Sequence, residues 1–395
     1  MRLVVLYGEP PAPPSHGGRV DVYQRLLALK RAGVEVLLVC WANTILGEKP
    51  DQVVQDVADL VAEVRVVTYG SFLDRPWLLA RYPGWIAARA LDAPVLKRLA
   101  EDVSQFKPDA FLIDGLPCAA GALQLVDALG EKYLFRSHNR EYLYVKAQAR
   151  LVRGWRDRLR AMLNLIWLKG FEEKVLRGAE AFYDISASDL AEWRRQGFVN
   201  GEWLPPIIDA DHATRLGEAV GWAPRHDVGY LGNLVNPNNV QGVLWFVREV
   251  LPLLRAAKPS VRALIAGSKP VPEVVEACRE AGVILLPNPA DAAAVLRDCR
   301  VLVNPVFQGS GVNLKSVEML HTPAALVATS TGVGGMPESA TRHFSIADTP
   351  EDFATAVLAH LGSDSLHPGT ATERAEARAV FSSQAIGGLI ARTAA

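Results

Sequence analysis

The segment whose residue types and spacing best suit chemistry is Val301-Leu-Val-Asn-Pro-Val-Phe-Gln-Gly-Ser-Gly-Val-Asn-Leu-Lys-Ser-Val-Glu-Met-Leu320. An apolar run enters a loop carrying Gly309 and Gly311, and the loop opens a helix that begins near Leu314. Glycines let backbone approach a ligand closely. A helix start offers unpaired N–H groups and the positive end of a dipole to a diphosphate. Lys315 adds a point charge in the first turn, and Glu318, one turn on, presents a carboxylate to the two hydroxyls of a ribose. Phosphate and ribose together describe a nucleotide. The same residues also read as a plain strand–turn–helix, with Glu318 favouring the dipole. A phosphate-binding P-loop does not fit, because Leu314 stands where glycine must precede Lys315-Ser316.

The elements that must position this segment alternate strand and helix. Strands are expected at Leu3–Tyr7, Val34–Cys40, Val64–Thr68, Ala110–Ile113 and Tyr133–Phe135, with a helix from about Gly17 to Gly33 after the first. The alternation restarts after residue 206. Strands are expected there at Val228–Leu231, Val261–Ala266, Val283–Leu286 and Val301–Asn304, with helices at Pro272–Ala281, Asp291–Arg297 and Leu314–Leu320 and an apolar stripe from Val243 to Leu254. Such alternation means βαβ units and parallel sheets. The expected fold is α/β with two Rossmann-like domains, 1–205 and 206–380, facing a cleft, and with a C-terminal helix at about 381–395 returning to the first. Ligands then belong at the carboxyl ends of the strands.

Composition agrees with a globular pair of domains. The chain has 395 residues, half of them hydrophobic, and a formal charge of −1 from 42 Lys and Arg against 43 Asp and Glu. That balance leaves no general electrostatic footprint for nucleic acid. The four cysteines, Cys40, Cys118, Cys278 and Cys299, are scattered and suit reduced thiols of a cytoplasmic protein. The N-terminal apolar run is too short for a signal peptide, and no stretch is long enough to span a bilayer. Eight histidines without metal spacing call for no metal. Asp209-Ala-Asp211 falls in the linker and is read as structural rather than as a metal-binding pair.

At this point the chain resembles the GT-B glycosyltransferases of family 4. Gly17-Gly18 is similar to that family's glycine pair, Ser137-His-Asn-Arg-Glu141 to its His-Asn-x-Glu segment, and Gly229-Tyr-Leu-Gly-Asn-Leu with Pro237-Asn-Asn to the opening of its nucleotide-binding domain. Gly309-Ser-Gly-Val-Asn-Leu-Lys-Ser-Val-Glu318 resembles its Gly-Ser-Gly-x-x-x-Lys-x-x-Glu subgroup. The resemblance implies transfer of a sugar from a nucleoside diphosphate to a hydroxyl acceptor, with retention and without a metal. The acceptor would be a glycan or glycolipid precursor, or a small natural product. It implies donor contacts from Gly17, Gly18, Asn233, Gly309, Ser310, Gly311, Val312, Asn313, Leu314, Lys315 and Glu318. His138 would be the catalytic group, steadying positive charge at the sugar or, in an inverting enzyme, serving as base.

Two positions depart from the family pattern. Ser310 stands where many members carry the first of two glutamates, the one that meets the transferred sugar. Asn233, Asn236 and Asn238 replace a basic pair, which leaves Lys315 as the main cation for the diphosphate. A nucleotide-sugar binding protein without transfer, or an epimerase on the same fold, is the alternative. Arg19 is a second phosphate candidate. Arg140, Glu141, Trp77 and Trp85 are the acceptor candidates, the rings because aromatic faces stack on sugars. The stretch from Leu151 to Lys169 reads as a basic amphipathic helix, with Trp155, Leu159, Met162, Leu163 and Ile166 on one face and Arg153, Arg156 and Arg160 on another. It suits peripheral contact with an inner membrane surface, or packing on the sheet with its arginines in water.

Overall fold

Leu3, Val4, Val5 and Leu6 are almost wholly buried, so the first strand, β1 (Arg2–Tyr7), is covered on both faces, as parallel sheets require. The computed structural model describes residues 1–14, 17–71, 75–151, 154–217, 222–362 and 371–393. These divide into two units, Met1–Ile207 with Ser383–Ala395, and Ile208–Ser382.

In the first unit β2 (Glu35–Asn43), β3 (Glu63–Tyr69), β4 (Ala110–Asp114), β5 (Leu134–Ser137), β6 (Ala181–Asp184) and β7 (Gly201–Trp203) join β1 in the order β3-β2-β1-β4-β5-β6-β7. Every pairing is parallel. Alternate residues feed two cores. Val4, Leu6, Leu37, Val39 and Ile113 enter one layer, and Leu3, Val5, Leu38, Cys40 and Leu112 the other. The second layer is completed by Ile386 and Leu389 from the end of the chain. That end is a 3₁₀ turn, Ser383–Ile386, and a short helix, Gly387–Thr393, rather than one continuous helix. The glycines at 387 and 388 disfavour an unbroken one.

The second unit holds β8 (His226–Asn233), β9 (Ala263–Ser268), β10 (Ile284–Pro287), β11 (Cys299–Asn304), β12 (Ala325–Ala328) and β13 (Ser345–Ile346), in the order β10-β9-β8-β11-β12-β13. These pairings are also parallel. All four cysteines are buried and none is in a disulfide. Among the described residues no helix is long and apolar enough to cross a membrane.

The direction of strand order reverses between β1 and β4 in one sheet and between β8 and β11 in the other. Loops at such switch points diverge to opposite faces and leave a crevice at the carboxyl ends. Beside the second crevice, helix Pro237–Trp245 lies so close to the loop after β11 that a Cβ on Gly242 would stand 2.2 Å from the Pro305 carbonyl oxygen. Alanine normally improves a helix by about 1 kcal/mol over glycine. Here Gly242→Ala is expected instead to destabilise by about 1–3 kcal/mol through overpacking. Urea unfolding of the two proteins checks this, and a variant as stable as the wild type would show that the contact yields.

Candidate functional site

In the second unit the loop of residues 305–313 leaves β11 and enters helix Leu314–His321. Gly311 has φ +71°, a conformation that disfavours any side chain. Gly309 is exposed, and a Cβ there would meet nothing within 4 Å. Asn313 flanks the helix without a side-chain cap, so the first turn draws no acceptor from it. Ser310, Val312 and Leu314 line this turn and are partly buried.

Behind the loop, the Lys315 ammonium donates to the Tyr230 hydroxyl at 2.8 Å, Asn239 Oδ1 at 3.1 Å and Asn304 Oδ1 at 3.4 Å. It also lies 4.3 Å from the centre of the Tyr230 ring. These partners are neutral. Burial therefore pushes the amine down to about 7, and the nearby Glu318 charge offsets only part of that. Asn304 is itself held by its amide, which donates to Ser316 Oγ at 2.8 Å and to the Gly332 carbonyl at 3.2 Å. The sequence motifs contain Asn239 and Asn304 but assign neither a role of its own. Asn233 is the last residue of β8, where its Oδ1 accepts from Val235 N at 3.1 Å and its carbonyl from Asn239 at 2.9 Å.

Glu318 faces His212, with Oε1 and Nε2 3.0 Å apart. His212 belongs to helix Ala210–Gly217, whose start is capped by Asp209 Oδ2, an acceptor from Asp211 N at 3.0 Å and His212 N at 3.4 Å. Asp209 thus acts as a helix cap. Among the described residues no three His, Cys, Asp or Glu side chains gather as a metal would need.

In the first unit the carboxyl ends of β4 and β5 carry a buried ionic cluster. Asp114 takes a hydrogen bond from Arg25 on one oxygen, and its other oxygen lies 2.7 Å from His138 Nε2. Arg25 also donates to Asp21 at 2.7 Å, one turn back on helix Gly17–Arg31. Arg136 reaches Asp21 at 3.4 Å and donates to the Leu204 carbonyl. Burial alone would raise the Asp114 carboxyl, but Arg25 and the His138 hydrogen bond hold it well below the ordinary range. The His138 ring also stacks on Tyr7 at 6.4 Å. Gly115, at φ +91°, gives it room, since a Cβ there would sit 3.3 Å from His138 Cδ2. His138 is thus held in place by a carboxylate at hydrogen-bond distance from its Nε2. Asp114, Asp21 and Arg25 were not foreseen from sequence, although an Asp closing an apolar strand before glycine is the signal that marks Asp114.

The remaining candidates separate. Gly17 and Gly18 open helix Gly17–Arg31. Arg19 is engaged by Glu9 at 3.0 Å and Glu48 at 2.7 Å. Arg140 lies over the Trp193 ring at 4.9 Å. Glu141 begins helix Glu141–Leu151, whose first N–H groups donate to the buried Glu172 at 2.6 and 3.1 Å. Burial, with the Glu141 charge adding, pushes Glu172 up to about 8. Trp85 packs against the core, whereas Trp77 is 67% exposed. The expected helix from 151 to 169 is broken: helices Trp155–Leu165 and Leu168–Gly178 meet at Trp167, which has φ +63°. Leu159, Met162 and Ile166 are exposed there. Arg153 and the side chains of Trp155, Arg156, Arg160 and Leu163 lie outside the described residues.

Comparison with known proteins bears on this geometry. Residues 225–363 match the family model of glycosyl transferases group 1. That stretch of the second unit is similar to a glycosyl transferases group 1 domain. The whole chain has the GT-B fold. It superposes on Anabaena Alr3699/HepE, solved with UDP, with a TM-score of 0.63 and 15% identity, covering 100% of this chain and 99% of that one. Against sucrose-phosphate synthase from Thermosynechococcus elongatus the values are 0.66 and 14%, covering 99% and 98%. An uncharacterized 44.6 kDa protein in the cps region of Klebsiella pneumoniae is 23% identical over 367 residues, 90% of each chain.

Replacing Asp114 with Asn leaves the buried Arg25 with one carboxylate fewer. Loss of a partner from a buried pair costs about 3–5 kcal/mol, so Asp114→Asn is expected to lower stability by that order in chemical unfolding. A loss under about 1 kcal/mol would mean that the cluster is solvated.

Proposed function

We propose that this chain moves a sugar from a nucleoside-diphosphate sugar to a hydroxyl acceptor, and that residues 309–318 hold the donor nucleotide. The observation that carries the reading is the uncapped helix start at Asn313–Lys315, at the carboxyl end of β11, with a cation behind it and Glu318 one turn on. The diphosphate would accept from the backbone of Gly311 to Leu314 and take Lys315 as its counter-ion. Glu318 would receive the ribose hydroxyls. The structural neighbour Alr3699/HepE, solved with UDP and also with UDP-glucose, supports this class of donor.

In the reaction the acceptor oxygen bonds to the anomeric carbon while the carbon–oxygen bond to the diphosphate breaks. The leaving phosphate keeps the electron pair, and with retention the hydroxyl proton passes to it. The helix dipole and Lys315 would answer the charge on the diphosphate without a metal. His138, backed by Asp114, would steady the positive charge that develops on the sugar. Acceptor binding is assigned to the first unit, with Trp77 as an exposed ring for stacking on a glycan.

Thermal unfolding with saturating uridine, guanosine, adenosine and thymidine diphosphates tests the donor site. A ligand at about a hundred times its Kd stabilises by about 2.7 kcal/mol. One base should give such a shift, and Glu318→Ala should weaken that ligand by about 1–3 kcal/mol. His138→Ala should depress turnover far more than nucleotide affinity. No shift with any base, or an unchanged affinity in Glu318→Ala, removes the segment from donor binding.

Because the Lys315 amine sits near 7, it is mostly neutral at pH 8 and must take up a proton when a diphosphate binds. Affinity should therefore tighten as pH falls from 8 to 7, by at most about tenfold per unit. Lys315→Met should flatten that part of the profile, measured against the nucleotide's own titration. Identical profiles for both proteins would show that Lys315 stays charged without ligand.

A further inference from the structure

His212 lies on a helix that the transfer reaction does not otherwise use, yet its ring is built into the donor site. Nε2 stands 3.0 Å from Glu318 Oε1, and Arg215 Nη2 stands 3.3 Å from Nδ1. A guanidinium only donates. In that contact Nδ1 must therefore be the acceptor, which fixes the proton on Nε2 and makes His212 a donor to Glu318. The side chains of His212 and Glu318 are 15% and 22% exposed, so little water competes for the bond.

The backbone supports the arrangement. Asp209 caps the first turn at the amides of Asp211 and His212, and Leu216, one turn beyond His212, is fully buried beside Leu320 in the apolar layer under the helix. The ring is therefore held at both its chain and its side-chain ends. Glu318 thus commits Oε1 to His212, while among the described residues nothing donates a hydrogen bond to its Oε2.

We propose that His212 is a specificity-determining positioning residue, which uses the chain Arg215→His212→Glu318 to aim the second Glu318 oxygen at a vicinal diol, the 2′- and 3′-hydroxyls of a ribose. This rests on the donor reading above and adds to it a residue outside the glycine-rich segment. Without His212 the carboxylate can rotate. It still attracts a hydroxyl, but it no longer separates a ribose from a 2′-deoxyribose.

The test is binding of UDP and GDP against their 2′-deoxy forms by titration calorimetry, with wild type, His212→Ala, His212→Gln, His212→Asn and Glu318→Ala. The wild type should prefer the ribonucleotide of its base by about tenfold or more, as expected for a hydrogen bond to a charged group. His212→Ala should shrink that preference several-fold. His212→Gln, whose amide can reach the place of Nε2, should restore it, and the shorter His212→Asn should not. If the alanine variant fails to fold, the contrast between Gln and Asn still decides. Preference intact in both His212→Ala and His212→Asn but lost in Glu318→Ala overturns the role of His212 and leaves the donor site standing. Absence of nucleotide binding in the wild type, or of any ribose preference, overturns both the Glu318 assignment and this one.

Discussion

A charge placed under a parallel sheet's switch point has to be answered there, because water cannot reach it. Arg25 is that charge in the first unit, and most of what surrounds it follows. Asp21 answers it from one helical turn back and Asp114 from the end of β4. Once Asp114 is fixed as an ionised group, His138 is fixed by it, and Gly115, whose φ of +91° disfavours a side chain, leaves the ring its room. Arg136 then ties the same cluster to the carbonyl of Leu204 at the far end of the sheet. Helix, two strands and the closing loop are therefore registered against one another by four charges rather than by apolar packing alone, which is less directional.

The second unit meets the same problem, a cation held among side chains, with a different answer. Its partly buried Lys315 meets a phenol and two amides and, among the described residues, no carboxylate within hydrogen-bonding distance. Neutral partners solvate an ammonium without cancelling it. Such a group keeps its attraction for an incoming anion, whereas Arg25, doubly paired, has spent its own. The contrast separates a cation that organises a fold from one placed to meet a ligand.

How far the sequence carried this is uneven for physical reasons. A longer apolar strand such as Leu3–Tyr7 declares itself, since burial on both faces leaves an uninterrupted hydrophobic run. The sequence reading had no strand at β6, β7, β12 or β13, which have two to four residues each. Runs so short carry too little pattern to be told from a helix or a turn. The glycine-rich segment was legible because its parts are contiguous. The contacts of Asn239 and His212 were not, because these meet Lys315 and Glu318 only after folding, across 76 and 106 residues. Asp209-Ala-Asp211 shows the same limit from the other side. Its place in the chain was plain, but its use as the cap that sets His212 was not.

The path of the chain has a consequence for how the protein comes to be made. The second unit is one uninterrupted stretch, from Ile208 to Ser382, while the first needs Ile386 and Leu389 to close one of its two apolar layers. A chain emerging in order can thus finish the unit that begins later before the unit that begins first. Until Ile386 and Leu389 arrive, that apolar layer of the first unit is incomplete, and partly made domains expose such surface to other chains. The C-terminal residues act as a late-fitted keystone, and the risk of self-association is concentrated in the interval before they are set.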